Sequence, residues 1–369
     1  MSAPCLLIAA GGTGGHIFPA LAVADVLRAR GWRVEWLGSR GGLEEQLVPP
    51  RDIPLHLLAI SGLRGKGITA LLLAPFRLVG ALLAARRVLQ QTRADVVLGM
   101  GGFASGPGGL MARISGRPLV IHEQNAIAGL TNRCLAKVAT VVLQAFPNAF
   151  ADAAIRSVGN PVRADLLKLA PAAERFADRS GALRILVVGG SRGAAALNEQ
   201  VPAAVAQLNA EVEVWHQTGR QQQAATQARY GDRRGVRVSE FIDDMAAAYS
   251  WADVVICRAG ALTVSELAAV GVPAIFVPYP HAVDDHQTAN ARYLSERGAA
   301  WLLPQTELTP AVLAARLNAL ADQRDVLKNM AVAAQAAAIN DAAEQVAAAC
   351  ERVIDARYTQ ASNERNGNG

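Results

Sequence analysis

The feature that most constrains the fold is a short apolar run that ends in glycines and is followed by a helical pattern. Residues 6–10 form such a run before the glycine-rich residues 11–15. Residues 185–188 form another before Gly189, Gly190 and Gly193. Continuous apolar strands that alternate with helices are typical of parallel sheets. The sequence therefore predicts an α/β protein.

The pattern starts again midway along the chain, which predicts two similar domains. The segment Ala-Asp-Val-Val occurs at 94–97 and again at 252–255, beside predicted strands in each half. Turn-forming residues without strand signals follow Gly159, so a hinge is expected there. Further strands are predicted at 34–37, 96–98, 119–121, 254–257 and 274–277. We expect a first domain over 1–162 and a second domain over 163–338. A C-terminal helix at about 339–356 is expected to pack back on the first domain, and the polar tail over 359–369 is expected to be disordered.

Composition favours a globular protein of the cytosol. With 369 residues, of which 51% are hydrophobic and 18% charged, the chain is long enough for about two domains. No secretion signal is expected at the N-terminus, because the first residues lack a basic segment. The longest strongly apolar stretch, 68–83, contains Pro75 and Arg77 and does not predict a membrane span. The four cysteines are far apart, which favours reduced thiols over disulfides or a zinc site.

Charge is unevenly distributed between the two halves. Residues 1–160 hold 16 Lys and Arg against 8 Asp and Glu, whereas residues 161–369 hold 20 against 23. The first half is therefore expected to bind an anionic partner. Charge alone does not distinguish phosphate, an acidic lipid surface and nucleic acid. Nucleic acid is disfavoured, because only 5% of residues are aromatic and the basic residues are dispersed.

Several cofactor chemistries are excluded by their missing motifs. A dinucleotide fingerprint beginning at Gly12 would need a glycine where Ile17 stands. Neither a P-loop nor an Asp-x-Asp pair occurs. No cofactor or metal is therefore expected, and a diphosphate would be stabilised by helix N-termini and basic side chains.

Seven segments, taken in order, resemble one protein family. They are GGTGGH at 11–16, ISGLRGKG at 60–67, GMGG at 99–102, HEQN at 122–125, GNPVR at 159–163, GGS at 189–191 and RAGALTVSE at 258–266. They resemble the MurG family of bacterial peptidoglycan synthesis, which transfers N-acetylglucosamine from UDP-N-acetylglucosamine to the 4-hydroxyl of N-acetylmuramyl-pentapeptide in undecaprenyl-diphosphate-linked lipid I. The resemblance extends to about residue 355.

This resemblance implies a fold, a mechanism and a location. The expected fold is GT-B, two Rossmann-like, doubly wound parallel-sheet domains with an interdomain cleft. The expected reaction is metal-independent, inverts the anomeric centre, and yields lipid II and UDP. The expected location is peripheral, on the cytoplasmic face of the inner membrane, with proteins of cell-wall synthesis and cell division as partners and a role in cell shape and the cell cycle.

The resemblance also implies which residues bind the substrates. Arg163 and the Ile242 backbone would bind uracil, and Glu266 would bind the ribose hydroxyls. The other expected donor contacts are Ser191 at the diphosphate, Gln287 at the sugar, the helix start formed by Ala261, Leu262, Thr263, Val264 and Ser265, and Thr13, Gly14, Gly15 and Asn125 from the first domain. The acceptor diphosphate is expected at Gly99, Gly101 and Gly102.

An inverting transfer needs one general base, and His16 is the candidate. It follows the glycine turn at a helix start, in the domain expected to hold the acceptor, and a helix N-terminus favours a neutral imidazole. The alternatives are that His16 caps the helix or hydrogen-bonds the loop, and that Glu123 is the base. Glu266 also has an alternative role, because Thr263 and Glu266 have the spacing of a capping box at a helix start.

Other functions remain open at this point. A sugar-nucleotide enzyme of the same fold could transfer to diacylglycerol or epimerise a UDP-sugar, because fold does not fix function. A non-catalytic UDP-sugar sensor would keep the nucleotide contacts without the chemistry.

The segment from Arg64 to Arg87 predicts a membrane-docking face. Leu72, Phe76, Val79 and Leu83 share one side of a predicted helix, and Leu71, Leu78, Leu82 and Leu89 form an adjacent stripe. We expect the second stripe to pack on the sheet and the first to meet an anionic membrane, bordered by Arg64, Lys66, Arg77, Arg86 and Arg87. The alternative is that both stripes are buried or that Pro75 splits the segment.

Overall fold

The fold was analysed in a computed structural model that describes residues 3–60, 74–190, 193–280 and 285–367. The chain divides into two compact units. The first unit is Met1–Arg163 together with Asn340–Gly369, and the second is Ala164–Ile339. None of the helices in the described ranges is long and apolar enough to cross a membrane.

The first unit is built on a parallel sheet. Its strands within the described residues are β1 Cys5–Ala9, β2 Arg33–Ser39, β3 Leu55–Leu58, β4 Val96–Gly99, β5 Leu119–Glu123, β6 Val141–Gln144 and β7 Arg156–Ser157. They lie in the order β3-β2-β1-β4-β5-β6-β7. Strand β1 is central, with Leu6 opposite Val34 on one side and Val96 on the other.

Helices cover both faces of this sheet. They are α1 Gly14–Ala29, α2 Glu44–Leu47, α3 Ala74–Thr92, α4 Ser105–Ile114, α5 Leu130–Ala136 and α14 Ala342–Gly367. Alternate side chains of β1 enter different cores, because successive strand residues point to opposite faces. Leu6 and Ile8 pack in the core that includes α1 and α14. Leu7 and Ala9 pack in the core that includes α3 and α4.

The second unit repeats this plan. Its strands within the described residues are β8 Leu183–Val188, β9 Val212–Gln217, β10 Val236–Ser239, β11 Val254–Cys257, β12 Ala274–Phe276 and β13 Ala300–Leu302, in the order β10-β9-β8-β11-β12-β13. Its helices are α6 Ala172–Arg175, α7 Ala195–Val205, α8 Gln223–Tyr230, α9 Met245–Trp251, α10 Ala261–Val270, α11 His286–Ser295, α12 Pro310–Asp322 and α13 Arg324–Ala336. All strand pairs in this sheet are parallel.

The repeated Ala-Asp-Val-Val segment has the same structural role in both units. Asp95 precedes β4, and its Oδ2 accepts the backbone N–H of Cys5 in β1 at 2.8 Å. Asp253 precedes β11, and its Oδ2 accepts the backbone N–H of Arg184 in β8 at 2.9 Å. Each aspartate therefore joins the two strands between which the chain order of its sheet reverses.

The structure differs from the sequence prediction at the C-terminus. A disordered tail was expected from Thr359, but α14 continues to Gly367. The reason is local, since residues 359–366 contain neither proline nor glycine to end a helix.

Candidate functional site

The predicted site residues of the first unit lie at one edge of its sheet. The turn 11–16 follows β1, the loop 99–102 follows β4, and the segment 122–125 covers the end of β5. These three strands are neighbours, and the chain order reverses between β1 and β4. In open parallel sheets, ligands bind outside the carboxyl ends of the strands at such a reversal.

The turn 11–16 is fixed by hydrogen bonds on both sides of the Gly11–Gly12 peptide. The Gly12 N–H donates to Oε2 of the buried Glu44 at 2.9 Å. The Gly11 carbonyl lies 3.0 Å from Nδ1 of His16. Helix α1 then begins at Gly14, and the amides of Gly14 and Gly15 have no acceptor among the described residues. These amides provide the positive end of a helix at the surface of the site.

His16 has the geometry of a proton acceptor. A carbonyl oxygen only accepts hydrogen bonds, so Nδ1 carries the proton in the neutral imidazole and Nε2 keeps its lone pair. A Cβ atom added at Gly101 would lie 3.0 Å from Nε2, so this nitrogen faces the loop 99–102. The alternative that His16 caps α1 is wrong, because Thr13 is the N-cap and no side chain caps the helix. The alternative that His16 hydrogen-bonds the loop is confirmed by the contact of Nδ1 with the Gly11 carbonyl, and this bond leaves Nε2 for proton acceptance.

The two glycine loops are in direct contact. Gly102 has a φ of +85°, and a Cβ atom added there would lie 2.3 Å from the Gly11 carbonyl oxygen. Met100 N–H donates to the Ala9 carbonyl at 3.0 Å, and the Ser105 hydroxyl donates to the Gly101 carbonyl at 2.8 Å. Glycine is required at 102 because of both its backbone conformation and this close approach.

Glu123 holds its own loop together. Its Oε1 accepts from the Asn125 backbone N–H at 2.9 Å and side-chain amide at 3.1 Å. Its Oε2 accepts from Gly129 N–H at 3.1 Å and from the Asn132 amide at 2.9 Å. A carboxylate that is buried and accepts four hydrogen bonds is a positioning group, so the structure does not favour Glu123 as the base.

His122 is also structural. Its Nε2 donates to the Gly159 carbonyl at 2.9 Å, and its Nδ1 accepts from the Gln124 amide at 3.1 Å. Burial lowers the pKa of His122 to about 4, so the ring is neutral near pH 7. It ties β5 to the segment that leads into the second unit.

In the second unit, the chain order reverses between β8 and β11. The loop after β8 is held by Gln217, which accepts from Gly190 N–H at 3.0 Å and donates to the Gly190 carbonyl at 3.2 Å. Ser191, expected to contact the diphosphate, lies outside the described residues.

Helix α10 follows β11 at the same edge. Gly260 is its N-cap, with no side-chain cap and no acidic residue in the first turn, so the amides at its start form a positive end. The expected contacts Ala261, Leu262, Thr263, Val264, Ser265 and Glu266 form its first six residues. The capping-box alternative is wrong, because Thr263 is inside the helix. Glu266 is buried and instead accepts from the Tyr249 hydroxyl at 3.1 Å.

The remaining predicted donor contacts lie elsewhere in their units. Ile242 is half-buried in the segment after β10. Gln287 accepts from the Tyr279 N–H at 2.9 Å, which holds the segment after β12. Arg163 is the last residue of the first unit's main segment, and its guanidinium lies 5.9 Å from the Phe18 ring centroid.

Helix α3 exposes an apolar surface. Phe76, Val79 and Leu83 are 76%, 55% and 54% exposed, and Leu72 lies outside the described residues. Leu78 was expected to pack on the sheet, and this is wrong, since it is 48% exposed. The reason is that the buried residues of α3 begin only at Ala81, so its first turns project from the fold.

The neighbouring part of this surface was not predicted from the sequence. Helix α4 packs against α3 and exposes Leu110 and Ile114, while Phe103 is exposed just before it. Arg77, Arg86, Arg87 and Arg113 are exposed around these apolar residues. We call this region, comprising the exposed apolar residues of α3 and α4 with Phe103, the α3–α4 surface. The helical spacing of Leu110 and Ile114, four residues apart, could have indicated it.

Comparisons with known proteins were made against this geometry. The N-terminal domain of glycosyltransferase family 28 matches residues 6–144, and its C-terminal domain matches residues 184–346. A protein of Aeromonas hydrophila is 58% identical in an alignment of 353 residues that covers 94% of this chain and 96% of that protein. Its name is UDP-N-acetylglucosamine–N-acetylmuramyl-(pentapeptide) pyrophosphoryl-undecaprenol N-acetylglucosamine transferase. A protein of Shewanella baltica with the same name is 53% identical over 94% of this chain and 96% of its own length.

Solved structures show the same architecture. The crystal structure of Acinetobacter baumannii MurG has a TM-score of 0.83 and 44% identity, covering 95% of this chain and 100% of that one. UDP-GlcNAc 2-epimerase from Neisseria meningitidis has a TM-score of 0.64 at 11% identity, covering 93% of this chain and 98% of that one, and shows the fold alone. The predicted GT-B fold class is confirmed by the two parallel-sheet units and by these relatives.

The contact between the glycine loops generates a prediction about Gly102. Gly102→Ala should lower the free energy of unfolding by about 2 kcal/mol or more, because the new methyl group meets the Gly11 carbonyl and the backbone is strained. Gly106→Ala is the matched control, since its Cβ would lie at an ordinary 3.6 Å from Thr131. Urea denaturation followed by circular dichroism measures both, and equal stability of the two variants would contradict the contact.

Proposed function

This chain belongs to glycosyltransferase family 28, and we propose that it transfers N-acetylglucosamine from UDP-N-acetylglucosamine to the N-acetylmuramyl-pentapeptide of lipid I in peptidoglycan synthesis. The observation that carries this proposal is the 58% identity over 94% of the chain to a transferase named for that reaction. The alignment covers 94% of this chain and 96% of that protein, so it includes both units.

The proposed reaction needs one proton transfer and one displacement. The acceptor 4-hydroxyl oxygen forms a bond to C1 of the sugar, the bond from C1 to the diphosphate oxygen breaks, and its electron pair leaves with UDP. The hydroxyl proton passes to Nε2 of His16, which keeps its lone pair when Nδ1 donates to the Gly11 carbonyl. A single displacement inverts the anomeric centre.

The second unit supplies the proposed donor site. The N-terminus of α10, where Gly260 provides no side-chain cap, suits a diphosphate, whose developing charge the helix dipole stabilises as UDP leaves. Glu266 suits the ribose, because a carboxylate accepts hydroxyl hydrogen bonds and the Tyr249 hydroxyl fixes its orientation. The other predicted donor contacts are Ser191, Ile242 and Gln287 of the second unit and Thr13, Gly14, Gly15, Asn125 and Arg163 of the first.

The first unit supplies the proposed acceptor site. Gly99, Gly101 and Gly102 follow β4, beside the turn that carries His16. Backbone at glycine can approach a diphosphate closely. An acceptor bound there would present its hydroxyl next to Nε2 of His16.

The proposed location is the cytoplasmic face of the inner membrane. The α3–α4 surface combines exposed apolar side chains with arginines, and α3 contains no acidic residue. Each basic residue near an anionic leaflet contributes about 1 kcal/mol to binding, which gives reversible, salt-sensitive attachment. A role in cell shape and division, with partners among the cell-wall and division proteins, follows from peptidoglycan synthesis itself.

The acceptor specificity can be tested with a panel of acceptors. Purified protein with UDP-N-acetylglucosamine should release UDP only when a polyprenyl-diphosphate-linked muramyl-pentapeptide is added, because the acceptor supplies the attacking hydroxyl. Release with diacylglycerol instead would favour a glycolipid transferase. Epimerised UDP-sugar without an acceptor, or donor binding without turnover on any acceptor, would favour the epimerase and sensor alternatives.

Membrane docking can be tested by co-sedimentation with phosphatidylglycerol vesicles. Phe76→Ser combined with Leu83→Ser should abolish most binding at low salt, because it removes two of the largest exposed apolar side chains of α3. The matched control is Val312→Ser combined with Val332→Ser, which alters two exposed apolar residues of the second unit. The wild type and the control should bind at low salt and dissociate at high salt. Equal binding by all three proteins would rule out this face.

A further inference from the structure

Glu44 is a buried carboxylate in the first unit that the proposed reaction does not use. It is the first residue of the short helix α2 and is fully buried. It makes no ion pair with another described residue. A buried carboxylate without an ionic partner lowers stability unless hydrogen bonds compensate it. The partners of its hydrogen bonds therefore indicate the role of Glu44.

Those hydrogen bonds join two loops at the carboxyl edge of the sheet. Glu44 Oε1 accepts from the Ser39 N–H at 2.7 Å and from the Ser39 hydroxyl at 2.8 Å, at the end of β2. Oε2 accepts from the Gly12 N–H at 2.9 Å, just after β1. The carboxylate thus links the end of β2 to the turn that carries His16.

Glycines surround this carboxylate closely. A Cβ atom added at Gly11 or Gly42 would lie 2.2 Å from one of its oxygens, and one added at Gly38 would lie 2.7 Å from its Cγ. No larger residue at these positions leaves room for the side chain of Glu44. The glycines therefore form a cavity shaped to the carboxylate.

The N–H group that donates a hydrogen bond to Glu44 belongs to the same peptide group as the carbonyl that contacts His16. That peptide joins Gly11 to Gly12, and its trans geometry directs the C=O and N–H in opposite directions. Fixing the N–H toward Glu44 therefore fixes the carbonyl toward Nδ1 of His16, 3.0 Å away. The result is a chain of hydrogen bonds from carboxylate through peptide to imidazole, in which each bond polarises the next.

This peptide needs such a restraint because it lies between two glycines. Gly12 has a φ of +90°, and an added Cβ there would meet nothing within 4 Å, so the space beside this end of the peptide is open. Glycine permits the rotated peptide as readily as the observed one. A rotated peptide would direct the Gly11 carbonyl at the carboxylate, which repels it, and the Gly12 N–H toward His16.

We propose that Glu44 is a positioning residue that sets the tautomer of His16 through the Gly11–Gly12 peptide. With the peptide held, His16 carries its proton on Nδ1 and presents the Nε2 lone pair to the loop 99–102. With the peptide rotated, the Gly12 N–H donates to Nδ1 and the proton moves to Nε2, where it blocks proton acceptance. The inference rests on the proposed role of His16 as the base.

Glu44→Gln separates positioning from packing. Glutamine keeps the volume, but its amide nitrogen cannot accept from Gly12, and it can donate to the carbonyl of the rotated peptide. The variant should lower kcat by about 10- to 100-fold while the KM for UDP-N-acetylglucosamine changes little, because the base is lost and the donor contacts remain. Glu44→Asp, whose carboxylate is one methylene shorter and withdraws from Gly12, should lower kcat in the same direction.

Asp95→Asn is the matched control. Asp95 accepts a hydrogen bond from the Cys5 N–H at the other end of β1, so Asp95→Asn makes the same change from carboxylate to amide at a backbone contact away from the turn. It should lower stability and leave both kcat and the His16 tautomer unchanged.

The direct readout is the tautomer of His16, from nitrogen-15 NMR of histidine-labelled protein with His16→Gln used for assignment. At a pH above the range in which the ring titrates, the wild type should show an unprotonated Nε2. Under the same conditions, Glu44→Gln should shift His16 toward the Nε2–H form. An Nε2–H form in the wild type would overturn the inference, even if Glu44→Gln fails to fold. Unchanged tautomer and kcat in a folded Glu44→Gln would also overturn it.

The same experiment distinguishes this inference from the proposed function. The tautomer is measured on the protein without substrates, so it does not depend on which acceptor is used. A shifted tautomer with an unchanged kcat would retain the link from Glu44 to His16 and remove His16 as the base.

Discussion

The contact between two glycine loops determines how the first unit builds its site. The loop after β4 lies against the turn after β1 so closely that Gly102 approaches the Gly11 carbonyl oxygen without room for a side chain. That carbonyl also meets Nδ1 of His16. The imidazole is thereby held against Gly101, at the reversal in strand order where parallel sheets bind ligands. A side chain at Gly101 would meet the imidazole, and one at Gly102 would meet the Gly11 carbonyl.

Buried polar side chains hold the loops around both sheets. Glu44 fixes the turn after β1, Glu123 fixes the loop after β5, and Gln217 fixes the glycines after β8. Each satisfies backbone groups that a loop would otherwise leave unpaired away from water. These side chains hold the loops beside the N-termini of α1 and α10. Rigid donors stabilise a developing charge more effectively than donors that must reorganise.

Much of this architecture could be predicted from the sequence because its signals are local. The apolar runs at 6–10 and 185–188 correspond to strands β1 and β8, and the glycine clusters after them are the loops of the site. The repeated Ala-Asp-Val-Val also proved structural, since Asp95 and Asp253 each join a central pair of strands.

The rest depends on contacts between distant residues. Nothing near Glu44 in the sequence shows that it accepts from Gly12, because 32 residues separate them. Thr263 and Glu266 have capping-box spacing, yet α10 begins earlier, after Gly260. Leu78 has the spacing of a packed residue, but the first turns of α3 project from the fold. Local spacing alone therefore fixes neither a long-range contact, nor the first residue of a helix, nor the burial of a helical face.

The central claim is that this loop contact presents His16 as the proton acceptor, and His16→Ala tests it most directly. Turnover should fall by about 10²- to 10⁴-fold with unchanged binding of UDP-N-acetylglucosamine, and added imidazole should restore part of it, because a diffusing base can occupy the space left by the side chain. His56→Ala, which removes a half-buried histidine paired with Glu35, is the control and should retain turnover. A His16→Ala variant with full turnover, or one that loses donor binding instead, would contradict the account.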